Sequence, residues 1–461
     1  MTRTNQLTSF ASVLALIALA ACTPPALKPP ASMSDEVRAR AGVDPAWQTS
    51  PAPTAESLRE ASAQPLPSPL DESTAVAIAL GASPEIGRLL TEAEALRAEA
   101  LDSATPINPA INFTSAIPLG SMGVVPIFAM VMAQVDELWK QPIRSEAARD
   151  EYEAALLTLA TEAIALSVDA RTRWHEVVVR EEETRLAAED ATHVAALLDH
   201  AQARFEAGEA SLDDLASART AVGRAQQALT ETSHDLADAR LGLMGMLGRP
   251  AAAMDWTVGS ADTKAEREIV GDLRDEAALI AQLPETRLDV RAALARARAA
   301  KSQLLLAMRS RLGKLELGAG WERTMDNDEG AGFAAIVELP IFNDGSYRIA
   351  KAHAQWRAAE IAAESARQQA ITQIRQALAK AHGAQTLHRV ATDATLAQTA
   401  GSLSRVRARH ETGEAATRDV VDAQHAYTLA AIEVSALERS RRQARIALIK
   451  STGMLSVEVP Q

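Results

Sequence analysis

The sequence predicts a mainly α-helical chain with a small β part, organised as two internal repeats, and three observations predict it. Alanine makes up 97 of 461 residues, spread through long stretches almost free of glycine and proline, which favours helix. The segment Ala203-Arg204-Phe205-Glu206-Ala207-Gly208-Glu209-Ala210 recurs as Ala408-Arg409-His410-Glu411-Thr412-Gly413-Glu414-Ala415, an offset of 205 that also pairs Arg240 with Arg445 and Gly248 with Gly453. Two short segments, Ile107 to Thr114 and Leu315 to Glu322, alternate apolar and polar residues with period two, the pattern of a strand with one face in an apolar medium and one in water, and each is followed by a second apolar segment. The net charge of -13 argues against nucleic acid as the main partner, since such a face needs clustered Lys and Arg.

Taken in order, residues 1–21 carry Arg3, an apolar run from Phe10 to Ala21 and small residues before Cys22, which is the layout of a lipoprotein signal peptide and too short to span a bilayer. Cys22 is the only cysteine of the chain and stands where diacylglycerol would alkylate the thiol before cleavage, so it is expected to be lipidated and acylated, palmitate included. Residues 22–70 hold ten of the twenty prolines without a hydrophobic period and read as an extended tether. The first repeat is expected at 71–260, a linker at 261–271 and the second repeat at 272–461.

Each repeat opens with a helix (about 71–103 and 272–311), followed by a strand pair, a very long helix, a Gly-Glu break and a shorter helix. The first long helix, about Ile143 to Ala207, would be roughly 100 Å long. Its Tyr152, Leu156, Leu159, Ala163, Leu166 and Ala170 are spaced 4, 3, 4, 3, 4, the seam of a coiled coil. In the first strand Ile107, Pro109, Ile111 and Phe113 alternate with Asn108, Ala110, Asn112 and Thr114; in the third Leu315, Leu317, Ala319 and Trp321 alternate with Glu316, Gly318, Gly320 and Glu322. The partner strands, about 124–135 and 333–341, are more uniformly apolar, which leaves their facing open. Four strands cannot close on themselves, and an open edge in hydrocarbon leaves backbone groups unpaired, so copies of the chain must pool their strands. Six aromatics (Trp139, Trp321, Phe113, Phe128, Phe333, Phe342) fall in or beside these segments, as expected at a membrane boundary.

No covalent chemistry is indicated. His193 and His200 lie seven apart without a third ligand at a recognised spacing, and no phosphate-binding glycine loop is present, so neither a metal site, a cofactor nor an enzyme is expected. Asp419 and Asp422 share a helix face by their spacing; alone this is more simply an acidic helix start.

With these features in place the chain resembles the outer membrane factor family, the TolC-like efflux ducts, over about residues 71–454. The resemblance rests on the twofold repeat, on Leu339-Pro340-Ile341-Phe342 followed by Asp344-Gly345 and an Ala-rich helix, and on Asp419-Val420-Val421-Asp422-Ala423-Gln424. It implies a homotrimer whose chains each give four strands to one twelve-stranded barrel, with antiparallel helical hairpins forming an α-barrel tunnel through the periplasm. It places a ring of acids (Asp419, Asp422 and the matching Asp214) at the channel entrance, and Gly208, Glu209, Gly413 and Glu414 at tips that touch a periplasmic adaptor. Ser217 stands opposite Asp422, so the ring would differ between the repeats. The first repeat also departs from the family by having Glu137-Leu138-Trp139-Lys140-Gln141-Pro142 where a Leu-Pro-x-Phe segment belongs. The implied function is passive export of metal ions or drugs, between an inner-membrane transporter and the exterior, from a lipid-anchored position in the outer membrane. The competing reading is a structural or adhesive coiled-coil lipoprotein without a pore.

Overall fold

The computed structural model describes residues 27–45, 54–115, 125–259, 276–324 and 326–453. The signal segment, Cys22 and the linker 261–271 lie outside the described residues. The helices are α1 (Ser34–Ala41), α2 (Ala55–Ser62), α3 (Glu72–Ala82), α4 (Pro84–Ala104), α5 (Glu137–Glu206), α6 (Leu212–Met246), α7 (Glu276–Thr286), α8 (Leu288–Arg309), α9 (Ser346–Val390), α10 (Ala397–Glu411) and α11 (Thr417–Thr452). A six-residue π-helical segment, Ala391–Leu396, joins α9 to α10. Four strands, β1 (Ala110–Ser115), β2 (Ile127–Gln134), β3 (Leu315–Arg323) and β4 (Glu329–Val337), form one antiparallel sheet in that order.

Several boundaries differ from the expected ones for local reasons. The helix expected over 71–103 is two, because Ser83 precedes Pro84 and is held extended at ψ 119°. The helix expected over 272–311 is likewise divided between Thr286 and Leu288. α5 starts at Glu137 rather than Ile143, so Pro142 sits inside its second turn. The carbonyl that Pro142 leaves without a donor is that of Leu138, which is largely exposed. β4 starts at Glu329 and ends at Val337, which leaves Leu339, Ile341 and Phe342 beyond the strand. The proline-rich segment is not wholly extended: α1 buries Val37 and Ala41, and Thr54 caps α2 by accepting from the Ser57 amide at 3.2 Å.

The described chain divides into two compact units, residues 1–31, 89–159 and 289–367, and residues 32–88, 160–288 and 368–461. The first holds the sheet and the helix ends that lead into it. There Arg298 of α8 pairs with Asp150 and Glu153 of α5 at 3.3 and 3.1 Å. The segment before α1 is tied to the same helices. Tyr152 donates to the Lys28 carbonyl at 2.6 Å and Arg97 to that of Leu27 at 3.3 Å. Burial pushes the Tyr152 hydroxyl up to about 12, so it remains a donor.

The second unit holds the helical hairpins. Its most deeply buried aromatic, Trp174, is inaccessible to solvent and donates to the Leu70 carbonyl at 2.8 Å. Leu70 also pairs with the segment after α6, through Leu70 N to Thr257 O at 2.7 Å and Gly259 N to Leu70 O at 3.0 Å. Nearby, Arg171 and His175 of α5 meet Glu72 of α3 at 3.1 and 3.4 Å. Burial raises the Glu72 carboxyl, and the opposing pull of His175, Arg171 and Arg442 leaves it below its ordinary value. Of the expected seam on α5, Tyr152, Leu156, Leu159, Ala163 and Ala170 are buried, and Leu166 is half-buried.

Candidate functional site

The sheet sorts the strand residues onto two unlike faces. Antiparallel partners share a face, so one rung reads Ile111, Val131, Ala319, Phe333 and another Phe113, Ala129, Trp321, Ala331. The reverse face carries Asn112, Met130, Gly320, Gly332 and then Thr114, Phe128, Glu322, Gly330. Phe333, Ile111 and Phe113 are exposed by 84%, 78% and 64%, so the apolar face is bare on the single chain. The strands whose facing the sequence left open are settled by this register: Ala129, Val131 and Phe333 join the apolar face, Met130 and Met132 the other.

Glycines floor the second face. A Cβ at Gly320 would collide with the Ala129 carbonyl oxygen and Met130 Cα, which are backbone atoms of the neighbouring strand. Gly320→Val is therefore expected to break the β2–β3 pairing. In membrane extracts the variant should lose the heat-modifiable oligomer expected of the unaltered chain, while Ala331→Val on the opposite face should retain it.

Where β2 passes into α5, Asp136 is placed by its own backbone, whose carbonyl accepts from Lys140 N at 3.2 Å. Its carboxylate receives Lys140 Nζ at 2.6 Å and the Leu315 amide at 3.3 Å, while Lys140 Nζ also reaches the Gly313 carbonyl at 3.1 Å. The pair thus ties the start of α5 to the start of β3. Burial alone would raise the Asp136 carboxyl; the Lys140 and Leu315 hydrogen bonds and the Lys140 charge bring it below its ordinary value. This junction occupies the place where the family's Leu-Pro-x-Phe segment was missing, and the spacing of Asp136 and Lys140 four apart was its only trace in the sequence.

The two Gly-Glu breaks have the same geometry. Gly208 and Gly413 adopt φ of 75° and 79°, where a side chain would be strained although space is open. Around the first, Glu209 N donates to Arg204 O at 2.8 Å and Gly208 N to Phe205 O at 3.0 Å. Around the second, Glu414 N donates to Arg409 O at 2.8 Å and Gly413 N to His410 O at 3.0 Å. These are the paired bonds that end a helix at a left-handed glycine.

The acids expected at an entrance follow immediately. Asp214 accepts from the Ser211 amide at 3.1 Å and the Ser211 hydroxyl at 2.7 Å, and Asp419 accepts from the Ala416 amide at 3.1 Å. Both carboxylates therefore cap the start of a helix. The Ser211 hydrogen bonds hold Asp214 below its ordinary value, helped by Arg204 and Arg418. Asp422 is exposed and lies 3.6 Å from Arg418. Asp419 and Asp422 share the first turns of α11, exposed, as the spacing required. His193 and His200 are exposed, and among the described residues no group of three or more His, Cys, Asp or Glu is placed to hold a metal.

Sequence reasoning missed a buried polar cluster between α5, α10 and α11. Asp190 accepts from Thr428 at 3.1 Å, and Gln424 accepts from Arg407 at 2.6 Å beside a cleft of about 580 Å³. Gln424 lies in the segment that carried the family resemblance, but its partners are too distant in sequence to be read from spacing.

Among the described residues no helix is long and apolar enough to cross a membrane. The sheet, by contrast, has one face that is apolar from the pair Leu315 and Val337 to the rung Phe113, Ala129, Trp321, Ala331, beyond which Ser115, Arg323 and Glu329 close it with polar groups. Residues 279–454 match the family model described as outer membrane efflux protein, a stretch that includes β3, β4 and the whole second hairpin. This stretch is similar to the outer membrane efflux proteins. The fold of the longer chain agrees with that likeness. It matches the channel protein CusC with a TM-score of 0.69 at 17% identity, over 83% of this chain and 92% of that one. It matches the open-state MtrE outer membrane channel of Neisseria gonorrhoeae with a TM-score of 0.67 at 19% identity, over 84% and 90%. The outer membrane protein VceC of Vibrio cholerae gives 0.65 at 16% identity, over 83% and 96%. No curated protein matches the chain by sequence. The outer membrane efflux fold, mainly helical with one small antiparallel sheet, is thus shared with channels of little sequence identity.

Proposed function

We propose that this outer membrane efflux protein is the exit channel of a tripartite efflux system, working as a homotrimer with a periplasmic adaptor and an inner-membrane transporter. One observation carries the reading. Among the described residues, a four-stranded antiparallel sheet, largely apolar on one face and glycine-rich and polar on the other, ends in two unpaired edges. Such a sheet is stable in a bilayer only when closed, and the alternation of strand directions lets β4 of one copy continue antiparallel into β1 of the next. The apolar face then meets lipid and the other lines water. Transport through it is passive, governed by bore and wall charge, with metal ions or drugs as cargo classes.

The amino-terminal ties support the lipid anchor. Cys22 precedes Lys28 by six residues, about 20 Å of extended chain, and Tyr152, which holds Lys28, stands about 24 Å along α5 from the sheet-proximal Asp136. Six extended residues fall about 4 Å short of that span, and acyl chains on Cys22 would bridge the remainder to the periplasmic leaflet of the outer membrane. The tips bearing Gly208, Glu209, Gly413 and Glu414 are the proposed adaptor contacts.

Asp419, Asp422 and Asp214, repeated around a narrow opening, would concentrate cations. Asp214 and Asp419 each make their capping bonds through one carboxylate oxygen, which is compatible with this role. Planar-bilayer recording tests both levels. The unaltered protein should give steady unitary conductance, and Asp419→Asn with Asp422→Asn should weaken block by divalent cations from the helical side. A membrane-inserted protein without conductance would favour a structural rod instead; unchanged block would remove the acids from the entrance.

A further inference from the structure

We propose that the Leu339-Pro340-Ile341-Phe342 segment is one half of a head-to-tail contact between copies of this chain, and that it docks on an apolar patch around Ile107 and Leu138 of the next copy. The inference rests on the reading that the sheet closes with other copies, and adds which surfaces meet and in what order.

Phe342 is fully exposed, and Ile341 and Leu339 are exposed by 73% and 67%, so three apolar side chains stand together outside any core of the single chain. They are held stiffly. Ile341 N donates to Leu339 O at 2.9 Å across Pro340, and Gly345 then turns the chain at φ 78° into α9.

The surroundings argue against lipid as the cover. Lys314 N donates to Glu338 Oε2 at 3.3 Å, Arg311 pairs with Asp344 at 3.5 Å, Gly345 N donates to Asn343 Oδ1 at 3.1 Å, and Ser346 N donates to Asp344 Oδ1 at 3.0 Å. A segment interleaved with so many charged and polar groups belongs on the water side of the barrel rim, where bare apolar side chains need a protein partner.

The sheet's topology says where that partner is. Leu339 to Phe342 follow the end of β4, one free edge. Ile107, 45% exposed, precedes the start of β1, the other free edge, and Leu138, 77% exposed, follows the end of adjacent β2. The pairings of Leu315 with Val337, Glu316 with Gln134 and Ala110 with Met132 put all these strand ends at the same end of the sheet. Two unlike apolar patches at one end of the sheet, one after edge strand β4 and the other at edge strand β1 and its neighbour β2, make a heterologous interface, the kind that closes into rings. When β4 of one copy lies beside β1 of the next, the first patch comes against the second.

Cysteine pairs test this. Cys22 is the only native cysteine, so the unaltered chain serves as the blank. Phe342→Cys with Leu138→Cys, and Phe342→Cys with Ile107→Cys, treated in outer membranes with a short thiol-to-thiol crosslinker, should give a covalent ladder that runs past the dimer to the closed oligomer. Each single variant should remain monomeric on denaturing gels. In the assembled oligomer Phe342→Cys alone should resist a water-soluble maleimide and become reactive on heat dissociation, a readout that needs no crosslink. Self-crosslinking of Phe342→Cys into dimers only, or its free labelling in the assembled oligomer by a soluble or a lipid-phase maleimide, would overturn the proposal. Heat-modifiable migration of the unaltered chain, run alongside, separates this from failure of the channel reading. An oligomer without the predicted crosslinks refutes only the contact, whereas no oligomer at all refutes both.

Discussion

Lys140→Ala is expected to lower stability by about 3–5 kcal/mol, the usual cost of removing one partner from a buried ion pair. The Asp136 side chain is only 2% exposed and would be left charged with little besides the Leu315 amide to stabilise it. The remaining carboxyl should then take up a proton at a higher pH than in the unaltered protein. In the unaltered protein the sign follows from the direction of the shift: the folded carboxyl lies below its unfolded value, so its contribution is present above the unfolded value and fades as pH falls through the folded one. Denaturant melts of the detergent-extracted protein at neutral and acidic pH check both statements. Asp136→Asn combined with Lys140→Met should recover much of the loss, because no unpaired charge then remains.

Trp174→Ala should cost a further large amount, about 3–5 kcal/mol from the cavity alone. The indole is completely buried, and its N–H holds the Leu70 carbonyl, which also takes the Gly259 amide. Losing it therefore loosens the strap that joins residues 68–70 to 256–259. Trp174→Phe keeps most of the apolar volume and gives up the hydrogen bond, so it should cost only about 1–2 kcal/mol. Proteolysis between α6 and α7 should accelerate with Trp174→Ala and much less with Trp174→Phe.

What the sequence revealed and what it hid divide along physical lines. The alternation in Leu315 to Trp321 was readable because the two faces of a strand meet different media, and that demand repeats every second residue. The turns at Gly208 and Gly413 were readable because only glycine takes a left-handed φ without strain, and the Tyr152 to Ala170 seam because helix packing fixes its period. The packing of Val37 and Ala41 was not readable, since a short α1 among prolines gains its order from contacts that lie far along the chain. The Asp136–Lys140 junction was hidden by Pro142, which argued for a later helix start although its unbonded carbonyl partner lies in an exposed turn. Asp190 meets Thr428 across 238 positions, a pairing that no local pattern announces. The sequence put Asp214 and Asp419 at helix starts but did not show their capping bonds, which depend on how each turn places its backbone amides.

In the membrane the four-stranded sheet is expected to have no free edge. Amide hydrogen exchange on the protein extracted from outer membranes addresses it directly. If β4 of each copy pairs with β1 of the next, the amides of Ala110–Ser115 and Glu329–Val337 should exchange as slowly as those of the inner strands Ile127–Gln134 and Leu315–Arg323. Slow exchange confined to the two inner strands, with both outer strands exchanging freely, would contradict it.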